Sequence, residues 1–381
     1  GLQKSPRARI RGNRWLRMKQ TYLTLPYQYI ADSPSTKSYA KWQIFEEYLQ
    51  KPRKATRLGV NEKLLFVKPH LKIPTDVAQI QQEADWPLNM DTRLQAFHLQ
   101  NLSTSTTIEI NGEEKVLLIE KPLSDTYSAH LDIYLEGKAS ATLLLLSSEE
   151  SEGLSTLSLN IQTRKEAEAK ISIIVIDSPK SATALFKATR LEPNSTLKET
   201  HIFVPGRTLH LESETFLDQE KATNTSSYAV ATPQDRSASI QTNAYIKAPR
   251  TAADIRLAGI SHNGELAHKG TIRIHRGSQE ARGKLSSRLI PLTPHSKVYA
   301  APTLEIESDD AAEAQHSASQ SPLDPTKLFY LQSRAFTQLE ANRLLLMAEL
   351  NKVLPEDLIR EPTVQKYLEV LLDSLEINID K

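Results

Sequence analysis

Between residues 105 and 315 the chain alternates apolar and polar side chains in one run after another, and each run reads as a β-strand with a single buried face. Such runs include TTIEI (106–110), KVLLIE (115–120), HLDIYL (130–135), ATLLLLS (141–147) and STLSLNI (155–161). KISIIVID (170–177), TLKETHIFV (196–204), TLHLESETFL (208–217), SASIQTNAYI (237–246) and GTIRIHRG (270–277) continue the series. The connections are short and show no helical period, which excludes a doubly wound α/β sheet with its crossover helices. A sandwich or barrel and a stacked solenoid remain. Regularly recurring Thr, Ser and Asn at the turns, over a region long for one sandwich, favour a parallel β-helix whose coils stack into a continuous core. With roughly two dozen residues per coil and about 4.8 Å between stacked strands, the rod is on the order of 40 Å long.

The period changes on either side of this region. In YAKWQIFEEYLQ (39–50), Trp42, Ile44, Phe45, Tyr48 and Leu49 recur at helical intervals before Pro52. Residues 75–85 form a weaker helix candidate, with Thr75 as N-cap. Toward the C-terminus, Asp324 before Pro325 reads as an N-cap with proline at the first helical position. Thr337 with Glu340 is a capping box opening a helix through Leu339, Leu344, Leu346, Met347 and Leu350, which Pro355 ends. Pro362 opens a last helix with Val364, Leu368, Leu371, Leu372 and Leu375 on one face. The expected organisation is a mixed, mainly helical N-terminal region (1–100), a β-helix core (101–320) and a C-terminal helical region (321–381). The last reads as a partner-docking module or as a cap over the open end of the solenoid.

Composition narrows the chemistry. The 381 residues carry a net charge of +1, which argues against a dedicated nucleic-acid surface. The absence of cysteine removes disulfides, thiolate nucleophiles and iron–sulfur ligation of the usual Cys type. No apolar run is long enough for a membrane helix and no secretory h-region is seen, so cytoplasm or an organellar stroma is the expected location. Lys4, Arg7, Arg9, Arg11, Arg14, Arg17 and Lys19 all precede the first acidic residue, Asp32, and read as a solvated basic tail, a transit-peptide remnant or an anion-binding arm. Walker A, Gly-x-Ser-x-Gly and dinucleotide motifs are absent. His201, His210, His262, His268 and His275 fall in or near strands at spacings that make a poor metal site, and exposure on the rod is expected for them.

Residues 270–350 carry a more specific pattern. A G-x-I-x-I strand entry is followed by Pro302, Leu304, Glu305 and Ile306, an acidic turn at Asp309 and Asp310, and a segment centred on His316. Leu328, Phe329, Tyr330, Leu331, Ser333 and Arg334 follow on a helix. In order and spacing this resembles the SufB/SufD family of iron–sulfur cluster assembly proteins. It departs from the family where His is usually followed by Gly-Ala-Thr, here Ser317-Ala318-Ser319, and where Ser-Arg-Gly becomes Ser333-Arg334-Ala335. The helix-to-helix turn must then be made without glycine.

The resemblance implies a mainly β fold, a right-handed parallel β-helix flanked by N-terminal and C-terminal helical regions. It implies a non-catalytic scaffold that pairs with a SufB-like subunit through the β-helix and docks a SufC-like ABC ATPase through the C-terminal helices. The lack of cysteine favours the SufD-like kind of subunit, with no tightly bound cofactor. A transient iron–sulfur cluster at the SufB interface and reduced flavin in the complex are further expectations, as is homodimer formation in isolation. His316 is the candidate shared cluster ligand, since neutral imidazole can replace thiolate at iron; a structural histidine at the strand end is the competing reading. Leu328, Phe329, Tyr330, Arg334, Leu344 and Met347 are the candidate partner contacts, with packing inside the helical region as the alternative. Two other functions fit a β-solenoid. One is a secreted-type carbohydrate lyase or hydrolase, which needs clustered carboxylates in a groove. The other is a purely structural homodimer without metal chemistry.

Overall fold

The computed structural model describes residues 21–28, 39–50, 92–102, 104–121 and 126–375. Among them, sixteen strands run from β1 (Thr104–Asn111) to β16 (Glu313–Gln320). Odd-numbered strands form one eight-stranded sheet in sequence order, and even-numbered strands form another. Every pairing is parallel. Each coil therefore contributes one strand to each sheet, and eight coils stack into the expected β-helix. Thr126 lies beside Leu154, Leu154 beside Ala182, and Ala182 beside Thr208, so a coil takes 28, 28 and then 26 residues.

One corner of the coil explains how turns without glycine hold. Glu166, Asn194, Lys221, Arg250 and Glu280 occupy it in successive coils, all left-handed with φ between 55° and 62°. That conformation costs an L-residue on the order of 1 kcal/mol. It aims each N–H at the following coil. Glu166 donates to Pro193 O at 3.1 Å, Asn194 to Glu220 O at 3.1 Å, and Lys221 to Pro249 O at 3.2 Å. Arg250 and Glu280 repeat the bond to Gln279 O and Asp310 O. Backbone groups that a turn would leave unpaired are thereby satisfied along the rod.

Side chains at alternate positions fill the lumen: Ile133, Leu143, Ile161, Ile173, Leu211, Leu257 and their neighbours form one continuous core. The outer faces are not left bare. Helix α1 (Trp42–Leu49) and helix α2 (Arg93–Gln100) place Phe45, Leu49, Leu94 and Phe97 over Leu154, Ala182, Ala184 and Phe186 of the odd-numbered sheet. The other outer face receives α4 (Gln338–Val353) and α6 (Pro362–Ser374), with the short α5 (Glu356–Ile359) between them in the chain. Leu346, Leu350, Leu368, Leu371 and Leu372 pack there on Ile174, Ile202, Ala229, Ala258 and Ile260. Burial on two faces is why ATLLLLS and ISIIVI read as nearly unbroken apolar runs. Each fully buried aliphatic side chain contributes on the order of 1.5–3 kcal/mol.

The capping signals form as their chemistry dictates. Asp324 accepts from Thr326 N ahead of α3 (Pro325–Ser333), and the Thr337–Glu340 box closes reciprocally at the start of α4. The turn between them has Ala335 at φ 71°, where glycine would carry no strain. Helix α1 starts at Trp42, the first of its periodic apolar residues and later than the expected start at 39, and the 75–85 candidate lies outside the described residues. The C-terminal helices do not cover the end of the rod. They lie along its side, with α4 against β10 (Thr223–Thr232) and β12 (Ala252–Ser261). The expectation of exposed histidines also fails: His201, His210 and His268 are buried. His201 and His268 share the inward parity of their strands, and His210 lies under α1 with its ring 4.9 Å from Trp42.

Candidate functional site

Stacking leaves the last coil unfinished. Strands β15 (Lys297–Ile306) and β16 pair only with β13 (Glu265–Ile274) and β14 (Arg282–Pro291) below them, and stand at the ends of their sheets. An unpaired parallel edge is a template for another chain. Tyr299 and Ile306 are 37% and 49% exposed on β15, far from the burial of earlier strands. His316 lies in the middle of β16, not after a strand end as its sequence context suggested. The segment EAQHSASQ lacks apolar alternation because no coil lies over it to bury a face. In register His316 sits beside Leu285, a lumen residue, so its own side of the strand is the lumen side. It is nonetheless exposed, because the lumen opens there.

Gln320, on the same side of β16, was not singled out by sequence. With its amide donor set against an acceptor, it donates to Val298 O at 3.0 Å and accepts from Ala300 N at 3.2 Å across the open end. It thus bridges the two strands of the terminal coil.

The second unfinished surface is the α3–α4 pair. Helix α3 is well capped yet buries none of its nine residues. So short a helix is marginal in water without tertiary support. Phe329 is 72% exposed, Tyr330 56%, Leu344 48% and Leu339 46%. Phe336 joins them at the turn. Tyr330, Leu331, Leu344, Leu345 and Ala348 line an apolar groove between the two helices. Of the residues picked from sequence, Phe329, Tyr330 and Leu344 share this surface, and Arg334 lays its guanidinium over the Tyr330 ring at 5.3 Å. Leu328 is half-buried, and Met347 packs against the helical core on the even-numbered sheet. Phe336 and Leu339 were missed as surface residues, because a periodic leucine ordinarily signals burial.

Charge buried inside the rod also escaped the sequence reading. Lys187 from β7 (Ala182–Leu191) and Glu199 from β8 (Thr196–Val204) form an ion pair across the lumen, each side chain no more than 1% exposed. Asn224 donates to Glu199 at 2.8 Å and Ser226 at 3.1 Å. The Tyr228 ring stacks on His201 with centroids 4.1 Å apart. Nearer the open end, His268 takes Thr242 at 2.9 Å on one ring nitrogen and Ser287 on the other. Burial pushes His201 and His268 down to about 3, so both are neutral. Among the described residues no three His, Asp or Glu side chains gather as a metal site, and no helix is long and apolar enough to cross a membrane.

Comparison with known proteins matches residues 119–349, more than half of the chain, to the family described as SUF system FeS cluster assembly, SufBD core domain. A stretch of 87 residues is 36% identical to the iron–sulfur cluster assembly protein SufD of Bacillus subtilis (strain 168). That stretch is 23% of this chain and spans only 20% of the relative's length.

Proposed function

The chain belongs to the SufB/SufD family of iron–sulfur cluster assembly proteins, and on that premise we propose that it is a SufD-like scaffold subunit that contributes geometry instead of catalysis. In this reading a SufB-like subunit pairs with the free edges of β15 and β16, and a SufC-like ATPase docks on α3 and α4. The observation that supports it is α3: a capped helix with aromatic side chains outward, none of its residues fully buried and only α4 beside it offers a surface for a partner to cover.

The cluster is cargo, not a resident cofactor. His316 supplies one imidazole at the open end, and the remaining ligands come from the partner chain. Its exposure on the lumen side of the final coil suits such sharing, since the edge strand that would pair with β16 lies alongside. Isolated chains have the same two edges available for pairing with each other.

The test is capture of a SufC-like ATPase by full-length chain and by Tyr330→Asp and Phe329→Asp variants. Both substitutions lie at exposed positions and leave the melting midpoint unchanged, while capture falls at least tenfold. Undiminished capture by both variants refutes the docking surface. Separately, His316→Ala lowers iron bound by the reconstituted complex without affecting ATPase capture.

A further inference from the structure

The two unfinished surfaces are joined by a short crossing, residues 321–324, which leaves β16 and enters α3. Its sequence, Ser-Pro-Leu-Asp followed by Pro325, stiffens the backbone at its two prolines but supplies few bonds that tie it to the rod. Ser321 N donates to Leu289 O at 3.2 Å at its start. Leu323 packs against the apolar layer between the even-numbered sheet and the C-terminal helices, and the side-chain hydrogen bonds that tie the crossing to β14 come from one residue. Arg288 projects from the outer face of β14, beside Ser319 in register. Its Nη1 donates to Ser319 Oγ at 3.1 Å, to Ser321 O at 2.9 Å and to Ser321 Oγ at 2.6 Å. Nη2 donates to Pro322 O at 3.3 Å. On its other side Nε faces Glu349 of α4 at 3.6 Å.

We infer that Arg288 is a positioning residue that sets the orientation of α3 relative to the edge strand β16. This inference rests on the docking reading above, because that orientation decides where a captured ATPase stands relative to His316. The chemistry requires arginine. Its guanidinium is a rigid planar fork with five donors, and here it serves an edge strand, the crossing and a helix at once. A lysine ammonium is a point charge on a flexible stem and cannot hold four oxygens of the crossing and β16 together with Glu349 in one geometry. Without the fork, α3 keeps its caps and its contact with α4. The crossing then loses the side-chain donors that hold Ser321 and Pro322 to β14, and keeps only the Ser321 N–Leu289 O bond and the packing of Leu323.

The chain has no cysteine, so two introduced thiols label it cleanly. Gln315→Cys on β16 and Gln332→Cys on α3 are both exposed positions. Spin labels there report the distance between edge strand and helix by pulsed electron paramagnetic resonance in the full chain. The expected result is one narrow distance distribution in the otherwise native protein. Arg288→Lys and Arg288→Ala at least double its width while circular dichroism stays native. A width unchanged in both variants overturns the inference, and so does a change confined to the melting midpoint. The docking reading fails by a different signal, undiminished ATPase capture by both the Tyr330→Asp and Phe329→Asp variants, so the two failures are distinguishable.

Discussion

Replacing Glu199 by Leu inside the solenoid removes one half of an ion pair that has no water to fall back on. Lys187 and Glu199 are no more than 1% exposed. Burial alone would push the Glu199 carboxyl up, but Lys187 beside it holds it below its ordinary value. Burial likewise opposes the Lys187 ammonium, and Glu199 outweighs that opposition and raises it. Removing one partner of such a pair costs about 3–5 kcal/mol, because the other charge is stranded. Asn224 and Ser226 lose their acceptor as well, about 1–3 kcal/mol for each group left unsatisfied. At a little over ~1 °C per kcal/mol for a chain of this size, the melting midpoint falls by about 4–6 °C from the stranded charge alone. The double variant Lys187→Met with Glu199→Leu has no stranded charge and recovers that part of the loss, while Asn224 and Ser226 still lack their acceptor. Chemical denaturation of wild type, both single variants and the double variant gives the coupling energy. Its pH dependence follows from the signs. The depressed Glu199 contributes above its unfolded value of about 4.5 and loses this as pH falls through the folded value. The raised Lys187 contributes below about 10.5 and loses this as pH rises through the folded value. The coupling is therefore complete between those limits. A coupling energy near zero at pH 7, with the double variant as unstable as the sum of the singles, refutes the reasoning.

Two further outcomes are expected. Ala335→Gly relieves the left-handed strain at φ 71° and raises stability by about 1 kcal/mol; a lowered urea midpoint would show that the turn does not require that conformation. His98, His201 and His268 are each held near 3 by burial, against an ordinary value of 6.5. The folded state then binds fewer protons than the unfolded chain below pH 6.5, so stability falls by about 1.4 kcal/mol per pH unit for each histidine, or about 4 in all. Urea midpoints at pH 7, 6 and 5 measure the slope, and His268→Gln reduces it by about a third; a flat profile down to pH 5 contradicts the assignment.

What the sequence made legible was local. Asp324, Pro325, Thr337 and Glu340 announce helix starts because a cap involves residues three or four apart. The density of short strands pointed to a solenoid for the same reason. The corner residues were illegible, since Glu166, Lys221, Arg250 and Glu280 have none of the usual turn chemistry and are held by carbonyls of the next coil. The buried pair was hidden by its type but not by its parity. In β8, Glu199 and His201 alternate in step with Leu197 and Phe203, both lumen residues. In β7, Lys187 keeps step with Leu185 and Leu191. A charge on the apolar parity of a strand was the available signal, and charge in a strand is read by default as solvent-facing. His316 shows the converse: its parity is inward and its exposure comes only from being in the last coil, which no local pattern reports.

That position gives the scaffold its character. Successive coils hold one another in parallel register along the whole rod, so the place of β16 is fixed by every strand beneath it. Helix α4 is fixed to the same frame by Leu346 and Leu350, which pack on the outer face of the even-numbered sheet. Helix α3 has no such anchor. Its placement depends on the crossing at 321–324, on the glycine-free turn at Ala335, and on the groove it shares with α4. Rigidity and adaptability are thus assigned to different elements of one end of the molecule. The part that would present an imidazole to a cluster is built into the rod, and the part that would receive an ATPase is tied to it only through the crossing, the Ala335 turn and α4. In the proposed assembly, a chain with no thiol of its own would contribute this division of labour instead of cluster chemistry.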